Sequence, residues 1–491
     1  MSRHLQVRPG AYRDSVSLMQ VSQRVGAQPG VLAALVAMAT ELNLDLLVGM
    51  GFTAPGGGAS ANDMLVAVEA VDDDALRAAL GQVDAILAER PEATGDVTGA
   101  PAPRTIRAAA AGATLALIST PGRHAAADAF EALDAGLDVV VFSDNVPLAH
   151  EIALKQVAAR TGRLVMGPDC GTAVVAGVGL GFANVVRPGP VGVVAASGTG
   201  AQQLMCLLDA AGVGVSHCLG VGGRDLSEQV GGASTLAALD LLATDAATER
   251  VVVVSKPPAA QTAASVRARA AALGVPVDFA LLGPEQPTLT DAAERVVRAL
   301  DLPWLEPRAW PALGRREPRV GALRGLFAGG TLCDEAMLIA SARLGSVRSN
   351  IPLQPGWRLP DDLRSDGHLM IDFGDDRLTQ GRPHPMIDNS LRAQRLVEEG
   401  SDPACGVVLF DVVLGHGAHP DPAAELGPAV RKAREAAAAD GRDLAVVVAL
   451  VGTAADPQGL VRQAEALQSE GASVHLSNAA AARVAVDLVE G

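Results

Sequence analysis

Aromatic residues are almost missing from this chain: Phe, Trp and Tyr together make up 2% of its 491 residues, with a single tyrosine. Large rings therefore cannot build its cores. Val, Leu, Ile and Ala must do so, which suits buried parallel strands under alanine-rich helices. Cysteine is also scarce. Cys170, Cys206, Cys218, Cys333 and Cys405 form no C-x-x-C pair and show no metal-ligand spacing. That excludes a disulfide framework and a thiolate metal site, and fits a reducing, cytoplasmic setting. Positive charge is in deficit, with 39 Lys plus Arg against 55 Asp plus Glu and a net charge of −16. Nucleic acid is thereby excluded as the main partner, because phosphate backbones need a basic face. No apolar run approaches the roughly 18 residues of a membrane span, and "MSRHLQVRPGAYRDS" lacks an apolar leader core. The expectation is a soluble cytoplasmic protein with no membrane partner.

Hydrophobic residues are plentiful at 49%, and the length implies about three or four compact units. Residues 1–92 alternate strand and helix patterns, with a first strand beginning in "DSVSLMQVSQRV", and suggest a small ferredoxin-like α/β domain. The Pro/Gly-rich "RPEATGDVTGAPAP" reads as a linker. Residues 104–188 follow a βαβαβ pattern, which predicts a Rossmann-like parallel sheet. Residues 189–302 continue the α/β alternation up to a second linker, "PWLEPRAWPALGRREP". Residues 319–491 then repeat that third unit. "LFAGGTLCDEAMLIASARLG" aligns with "VAASGTGAQQLMCLLDAAG", placing Thr331 against Thr199. "MIDFGDDRL" aligns with "GVGGRDL", and "GVVLFDVVLG" with "RVVVVSKPP", in the same order.

Four places could carry chemistry. Ser197-Gly198-Thr199-Gly200 lies between a strand and a helix, where inward amides and the helix N-terminus favour phosphate or carboxylate. A glycine turn capped by Ser or Thr would look the same, but its counterpart at Gly330-Thr331 makes a pair of anion cradles the fuller reading. Gly222-Gly223-Arg224 ends another strand, and Arg224 could grip an oxyanion or merely pair with Asp225. The densest charge is in "DFGDDRLTQGRPHPMIDNSLR", residues 372–392. Pro383 and Pro385 fix the backbone around His384. Asp375, Asp376, Arg382 and His384 thus become candidates for proton transfer and oxyanion recognition, against a loop that pairs only with itself. His416 and His419, in "GHGAHPD", suit a phosphate-facing or solvated turn better than a metal, and no metal is expected. Cys170, in "GPDCG", has no histidine fixed beside it and reads as a buried turn residue.

The stretch from "LALISTPGRHAAADAF" through "GRLVMGPDCG" to "VGVVAASGTGAQQLM…CLGVGGRD" resembles the α subunit of succinyl-CoA synthetases. The fourth unit resembles the terminal ligase domain of their β subunit. The linear order, with "IDFGDDRLTQGRPHPMID", resembles the FdrA family, acyl-CoA synthetase-like proteins. The resemblance implies a CoA-binding-type Rossmann domain and two flavodoxin-like, succinyl-CoA ligase-like domains. Two departures matter. The region matching the ligases' phosphohistidine loop, "FALLGPEQPTLTDAAERVV", has no histidine, and the acidic loop "GEIGG" is replaced by "SKPPA" at 255–259. A phosphohistidine and direct use of ATP are therefore not expected. The family likeness implies a subunit of a hetero-oligomeric carbamoyltransferase, oxamate carbamoyltransferase, acting on a small carboxylate or carbamoyl substrate with inorganic phosphate in allantoin breakdown. The alternatives are a CoA-binding subunit of an acid–thiol ligase, and a non-catalytic scaffold or acyl-ligand sensor. CoA is possible, although the glycines of "GMGFTAPGGGASAND" at 49–63 lie before the Rossmann-like unit.

Overall fold

The computed structural model describes residues 2–11, 13, 15–55, 59–60, 62–88, 105–312, 321–379 and 382–490. The first linker, 90–103, lies outside them. The chain divides into two compact units, one of residues 1–102 with 377–384, the other of 103–376 with 385–491.

The first unit is built from β1 (Ser2–Arg8), α1 (Ser15–Gly26), β2 (Val31–Met38), α2 (Glu41–Gly49), β3 (Met64–Ala70) and α3 (Asp73–Ala88). Its antiparallel sheet runs β1-β3-β2. β3 is buried along its whole length, and its period of two sorts its side chains between the faces. Met64, Val66 and Val68 meet Leu18, Val21 and Val25 of α1 and Ala79, Val83 and Ile86 of α3. Ala67 packs on the other face with Leu47 and Phe52. The expected first strand in "DSVSLMQVSQRV" is corrected here. That stretch is helix α1, because Leu18, Val21 and Val25 recur at helical spacing on one buried face, and the strand is Ser2–Arg8.

The second unit opens with a helical turn α4 (Ile106–Ala109), then β4 (Leu115–Ile118), α5 (Gly122–Asp134), β5 (Asp138–Val141), α6 (Leu148–Thr161) and β6 (Val165–Met166), a parallel three-stranded sheet in the order β4-β5-β6. A hairpin follows, β7 (Thr172–Val175) and β8 (Val178–Gly181). Although it falls within 104–188, it hydrogen-bonds into the next sheet through β10.

That next sheet comprises β9 (Pro188–Ala196), α7 (Gly198–Ala210), β10 (Val215–Gly220), α8 (Ala233–Thr244), β11 (Arg250–Ser255), α9 (Ala260–Ala271), β12 (Val277–Leu281) and α10 (Leu289–Ala299), with strand order β12-β11-β9-β10-β7-β8. The last sheet starts with β13 (Ala309–Trp310), inside the expected second linker, followed by β14 (Ala322–Phe327), α11 (Gly330–Leu344), β15 (Arg348–Ser349), β16 (Leu369–Asp372) and α12 (Asp376–Thr379). It ends with α13 (Ser390–Ser401), β17 (Cys405–Val413), α14 (Pro422–Ala439), β18 (Ala445–Val451), α15 (Leu460–Ser469), β19 (Ser473–His475) and α16 (Asn478–Glu490). Its order is β13-β19-β18-β17-β14-β16-β15.

The repeat read from the sequence is visible in these orders. β12-β11-β9-β10 in one sheet stands where β18-β17-β14-β16 stands in the other, so each aligned strand occupies the same place. β9 is covered on both faces. Val191 and Val193 join one core with α7 and α10, while Val194 and Ala196 join another beneath α8 and α9. The first of these cores continues without a break into Phe327, Leu332, Met337, Leu409, Val447 and Val486 of the repeat. Helices α7, α10, α11 and α16 thus form one shared layer between the two sheets.

The halves also hold each other by exchanged polar contacts. Gln203 of α7 accepts the Asn478 amide at 3.0 Å, at the start of α16. Glu335 of α11 accepts the Leu289 amide at 2.7 Å, at the start of α10, and the Asn478 side chain at 2.8 Å. Gln203 and Glu335 are equivalent positions of the repeat, so each copy caps a helix of the other.

Candidate functional site

Ligands of open α/β sheets bind beyond the carboxyl ends of the strands, at the point where strand order reverses. In the first ligase-like sheet that point lies between β9 and β11, whose following residues are Ser197 and Lys256. The glycine turns of the two copies meet there. Ser197 Oγ accepts the Gly200 amide at 3.0 Å and donates to Thr331 Oγ1 at 2.7 Å. Thr199 lies against Gly329, where an added β-carbon would come 2.6 Å from Thr199 Oγ1, and Thr331 lies against Gly200 in the reciprocal arrangement. Ser197, Gly198, Thr199, Gly330 and Thr331 are therefore brought together, with the N-termini of α7 and α11 converging.

Both Ser197 and Thr331 are buried and bonded to each other, so their hydroxyls build the junction. The open side is furnished by residues that the sequence reading did not single out. Lys256 follows β11 with 39% of its side chain exposed, its Nζ 3.7 Å from Asp334 Oδ2. A β-carbon on Gly330 would fall 2.7 Å from Lys256 Nζ and 2.6 Å from Asp372 Oδ2, so bare glycine backbone, amine and acid converge on one spot. Burial works against the ammonium, yet Asp334, then Asp372 and Asp169, outweigh it and lift Lys256 above its usual value. Asp372, 4% exposed, is pushed up to about 7 by burial, opposed by Lys256 and the Gly374 amide. Burial also raises Asp334.

Asp169, Asp376, Asp144 and Arg224 continue this edge outward, close enough for their charges to act on Lys256 or on one another. Asp169 is an exposed residue, yet the protein packed around it and the charges of Asp376 and Asp144 raise it to about 7. Asp376 is raised as well, first by partial burial and then by Asp144 and Asp375.

Gly222 and Gly223 bring β10 close to this rim. A side chain on Gly222 would press on the Pro168 carbonyl, and one on Gly223 would reach Asp169. Arg224 does not pair with Asp225. Its Nε donates to Glu151 at 2.9 Å and its Nη2 to the Val146 carbonyl at 2.8 Å, which leaves the side chain 46% exposed. Asp225 is fully buried and accepts from Lys155 Nζ at 2.7 Å and from the Ser234 and Thr235 amides. Asp375 and Asp376 belong to this second unit, whereas Arg382 and His384 belong to the first. Arg392, from the same charged stretch, is consumed structurally, donating to buried Asp411 at 2.8 Å.

One signal could have found Lys256. The chain has only three lysines, Lys155, Lys256 and Lys432, and uses arginine for its remaining side-chain cations. Lysine offers a compact point charge where arginine offers a planar fork. Two of the three lie by this edge, Lys155 buried beneath it between Glu151 and Asp225. His419 Nε2 stands 3.4 Å from Glu425, and among the described residues no three His, Cys, Asp or Glu could hold a metal ion. Cys170 is buried, and burial pushes its thiol up to about 12. Among the described residues no helix is long and apolar enough to cross a membrane.

Comparison with known proteins adds two family matches. Residues 1–103 match the AllF heavy metal-associated domain, and residues 326–488 match the CoA-ligase family. The chain is 38% identical over 491 residues to uncharacterized protein YahF of Escherichia coli (strain K12), an alignment covering 96% of this chain and 95% of that one. It is 29% identical over 167 residues to the succinate–CoA ligase [ADP-forming] subunit alpha 2 of Archaeoglobus fulgidus, covering 33% of this chain and 57% of that subunit. Among solved structures, the dinucleotide forming acetyl-coenzyme A synthetase 1 of Ca. Korarchaeum cryptofilum aligns at a TM-score of 0.32 and 15% identity, over 80% of this chain and 86% of that one.

Two groups implied by these families can be tested on the residues present. A soft heavy metal does not fit the first domain, because residues 1–103 contain no cysteine to supply thiolates. The phosphates of CoA find a better match. Helices α5 and α6 begin after Pro121 and Pro147 without side-chain caps, leaving amides at the ends of β4 and β5, and Arg123, His124 and His150 are exposed in their first turns.

Proposed function

Because the chain belongs to the same family as YahF, with a CoA-ligase domain in its C-terminal part, we propose that it is a CoA-ligase-type, succinyl-CoA synthetase-like protein that seats a small oxyanion where α7 and α11 meet. The observation that carries this reading is the meeting itself: two helix N-termini joined through Ser197 and Thr331, with Lys256 and Asp372 turned toward Gly330. Both helix ends and the ammonium attract negative charge. The ligases that this chain resembles carry a phosphohistidine on a loop that matches residues 279–297 here. Here no histidine lies between 277 and 297, and Lys256 stands in the loop that is acidic in those ligases. The oxyanion is therefore held directly by the chain.

Each group has a role in this reading. The amides at the start of α11 and Lys256 bind and orient the anion, Asp334 keeps Lys256 in place, and Asp372 holds or yields a proton at Oδ2. The first turns of α5 and α6, with Arg123 and His124, would hold the phosphates of CoA, which when bound supplies the thiol that accepts an acyl group. Incubation of the full chain with CoA and an acyl phosphate at pH 6, where Asp372 carries a proton that the anion can accept, and without nucleotide, should yield a thioester detectable by chromatography. Absence of both thioester and CoA binding would overturn the ligase-type reading.

A second reading rests on the same lost histidine. Direct exchange of a carbamoyl group with phosphate, as in oxamate carbamoyltransferase, needs no phosphoryl carrier. Phosphate release from carbamoyl phosphate plus oxamate, with the CoA mixture inert, would favour it. In that reaction His384→Ala and Arg382→Ala should each cut turnover at least about tenfold, equivalent to about 1.4 kcal/mol. Unchanged rates would remove both residues from the mechanism.

A further inference from the structure

An anion seat lined by carboxylates is a contradiction that needs resolving. The spot in front of Gly330 is approached by α11, whose N-terminus has no side-chain cap, by Lys256 Nζ, and by Asp372 Oδ2. Asp372 is nearly sealed from water. Its Oδ1 takes the Gly374 amide at 2.9 Å, while among the described residues no hydrogen bond reaches Oδ2. The other charges facing it are Asp334 from α11 and Asp375 from the loop after β16. An oxyanion drawn in by Lys256 and the helix amides would press an acceptor oxygen against Oδ2. Two buried acceptors facing each other are costly unless a proton lies between them.

We infer that Asp372, facing the same spot as Lys256, makes this seat selective for an oxyanion that carries its own proton, namely inorganic phosphate, and unreceptive to sulfate. The inference rests on the oxyanion seat proposed above and adds its ligand specificity. Near neutral pH phosphate retains a hydrogen that it donates to Oδ2, while its other oxygens accept from Lys256 and the α11 amides. Sulfate has the same shape and charge but no hydrogen, and so leaves Oδ2 facing a bare oxygen. An acyl phosphate, whose last proton is gone at that pH, behaves as sulfate does. Only when Asp372 itself is protonated do the unprotonated anions gain a donor, and the burial that holds its carboxyl near 7 sets where that happens.

Titration calorimetry on the full chain at pH 8.5, where Asp372 is ionised and phosphate still carries a proton, in a buffer free of both anions, tests this. Phosphate is expected to bind at least about tenfold more tightly than sulfate or acetyl phosphate. Asp372→Asn, whose amide can both donate and accept, should bring the phosphate-to-sulfate ratio close to one. Lys256→Met should weaken both anions together and leave the ratio standing. Lowering the pH to 5.5 should raise the sulfate affinity of the unaltered chain, a readout that decides the matter even if Asp372→Asn fails to fold. Equal affinity of the two anions in the unaltered chain, an unchanged ratio in folded Asp372→Asn, or no phosphate binding at all would overturn the inference. CoA binding is measured separately on the same preparation. A phosphate-selective chain that ignores CoA would retire the ligase reading and keep this one, and CoA binding without anion selectivity would do the reverse.

Discussion

Lys155 shows what one buried charge does in this fold. Its Nζ is bonded to Glu151 at 2.8 Å, Asp225 at 2.7 Å and the Val221 carbonyl at 2.9 Å, all out of reach of water. Lys155→Met would leave Asp225 buried without a cation and Glu151 with Arg224 alone. It should cost about 3–5 kcal/mol in urea unfolding; a loss below about 1 kcal/mol would show that water enters the site. Asp372 links stability to pH through the opposite sign. Its folded pKa, about 7, lies above the ordinary 3.8, so the folded chain holds the proton over an interval where the unfolded chain has released it. Its contribution is therefore lost as pH rises from about 4 to 7 and is flat above that. Asp372→Asn should make this part of the stability profile shallower, Asp169 still contributing to it, and an unaltered slope would remove Asp372 as a source. Burial pushes Cys170 and Cys405 up to about 12, and all five thiols are buried. Ellman titration of the native chain at pH 8 should therefore find essentially none of them, and all five after denaturation.

Helices and turns were legible to different degrees, and the reasons are physical. The glycine turns could be paired in advance because a strand, a bare backbone and a nearby Ser or Thr leave a linear signature at both 197–200 and 329–331, although only Ser197 caps its helix. Lys256 left only its rarity as a lysine and Asp334 nothing, since the first needs β11 beside β9 and the second lies within α11. β1 was missed for lack of an apolar run, although its register with β3 is continuous from Ser2 to Arg8. The charged stretch 372–392 read as one site, yet folding splits it. Asp372 turns toward Gly330, Arg392 is locked to Asp411, and Arg382 and His384 go to the other unit. At this scale Gly330→Ala is the sharp probe. Its methyl would occupy the space between Lys256 and Asp372 and should abolish phosphate binding while circular dichroism stays unchanged. Full retention of binding would move the anion elsewhere.

The greater part of the second unit, from β9 onward, is a duplication whose copies pack on each other. Composition predicted the filling of its cores by Val, Leu and Ala, and the repeat alignment predicted equivalent strands. What linear sequence could not convey is that the two copies share one hydrophobic core through α7, α10, α11 and α16. A fragment ending at residue 312 would expose the outer faces of α7 and α10, including Leu204, Met205 and Leu208, which are fully buried in the chain. Surface of that size drives association rather than folding. Residues 105–312 expressed alone should aggregate or bind a hydrophobic dye, and a stable folded monomer would contradict the shared core.

The junction of Ser197 with Thr331 has a consequence for direction. Related copies meet there, but their surroundings have diverged: one side carries a hydroxyl cap, while on the other the amides of Ala328 and Gly329 are already spent on Asp411. A tetrahedral guest has no front or back of its own. Placed between unlike neighbours it acquires both, so whatever reacts with it must always arrive from the same side.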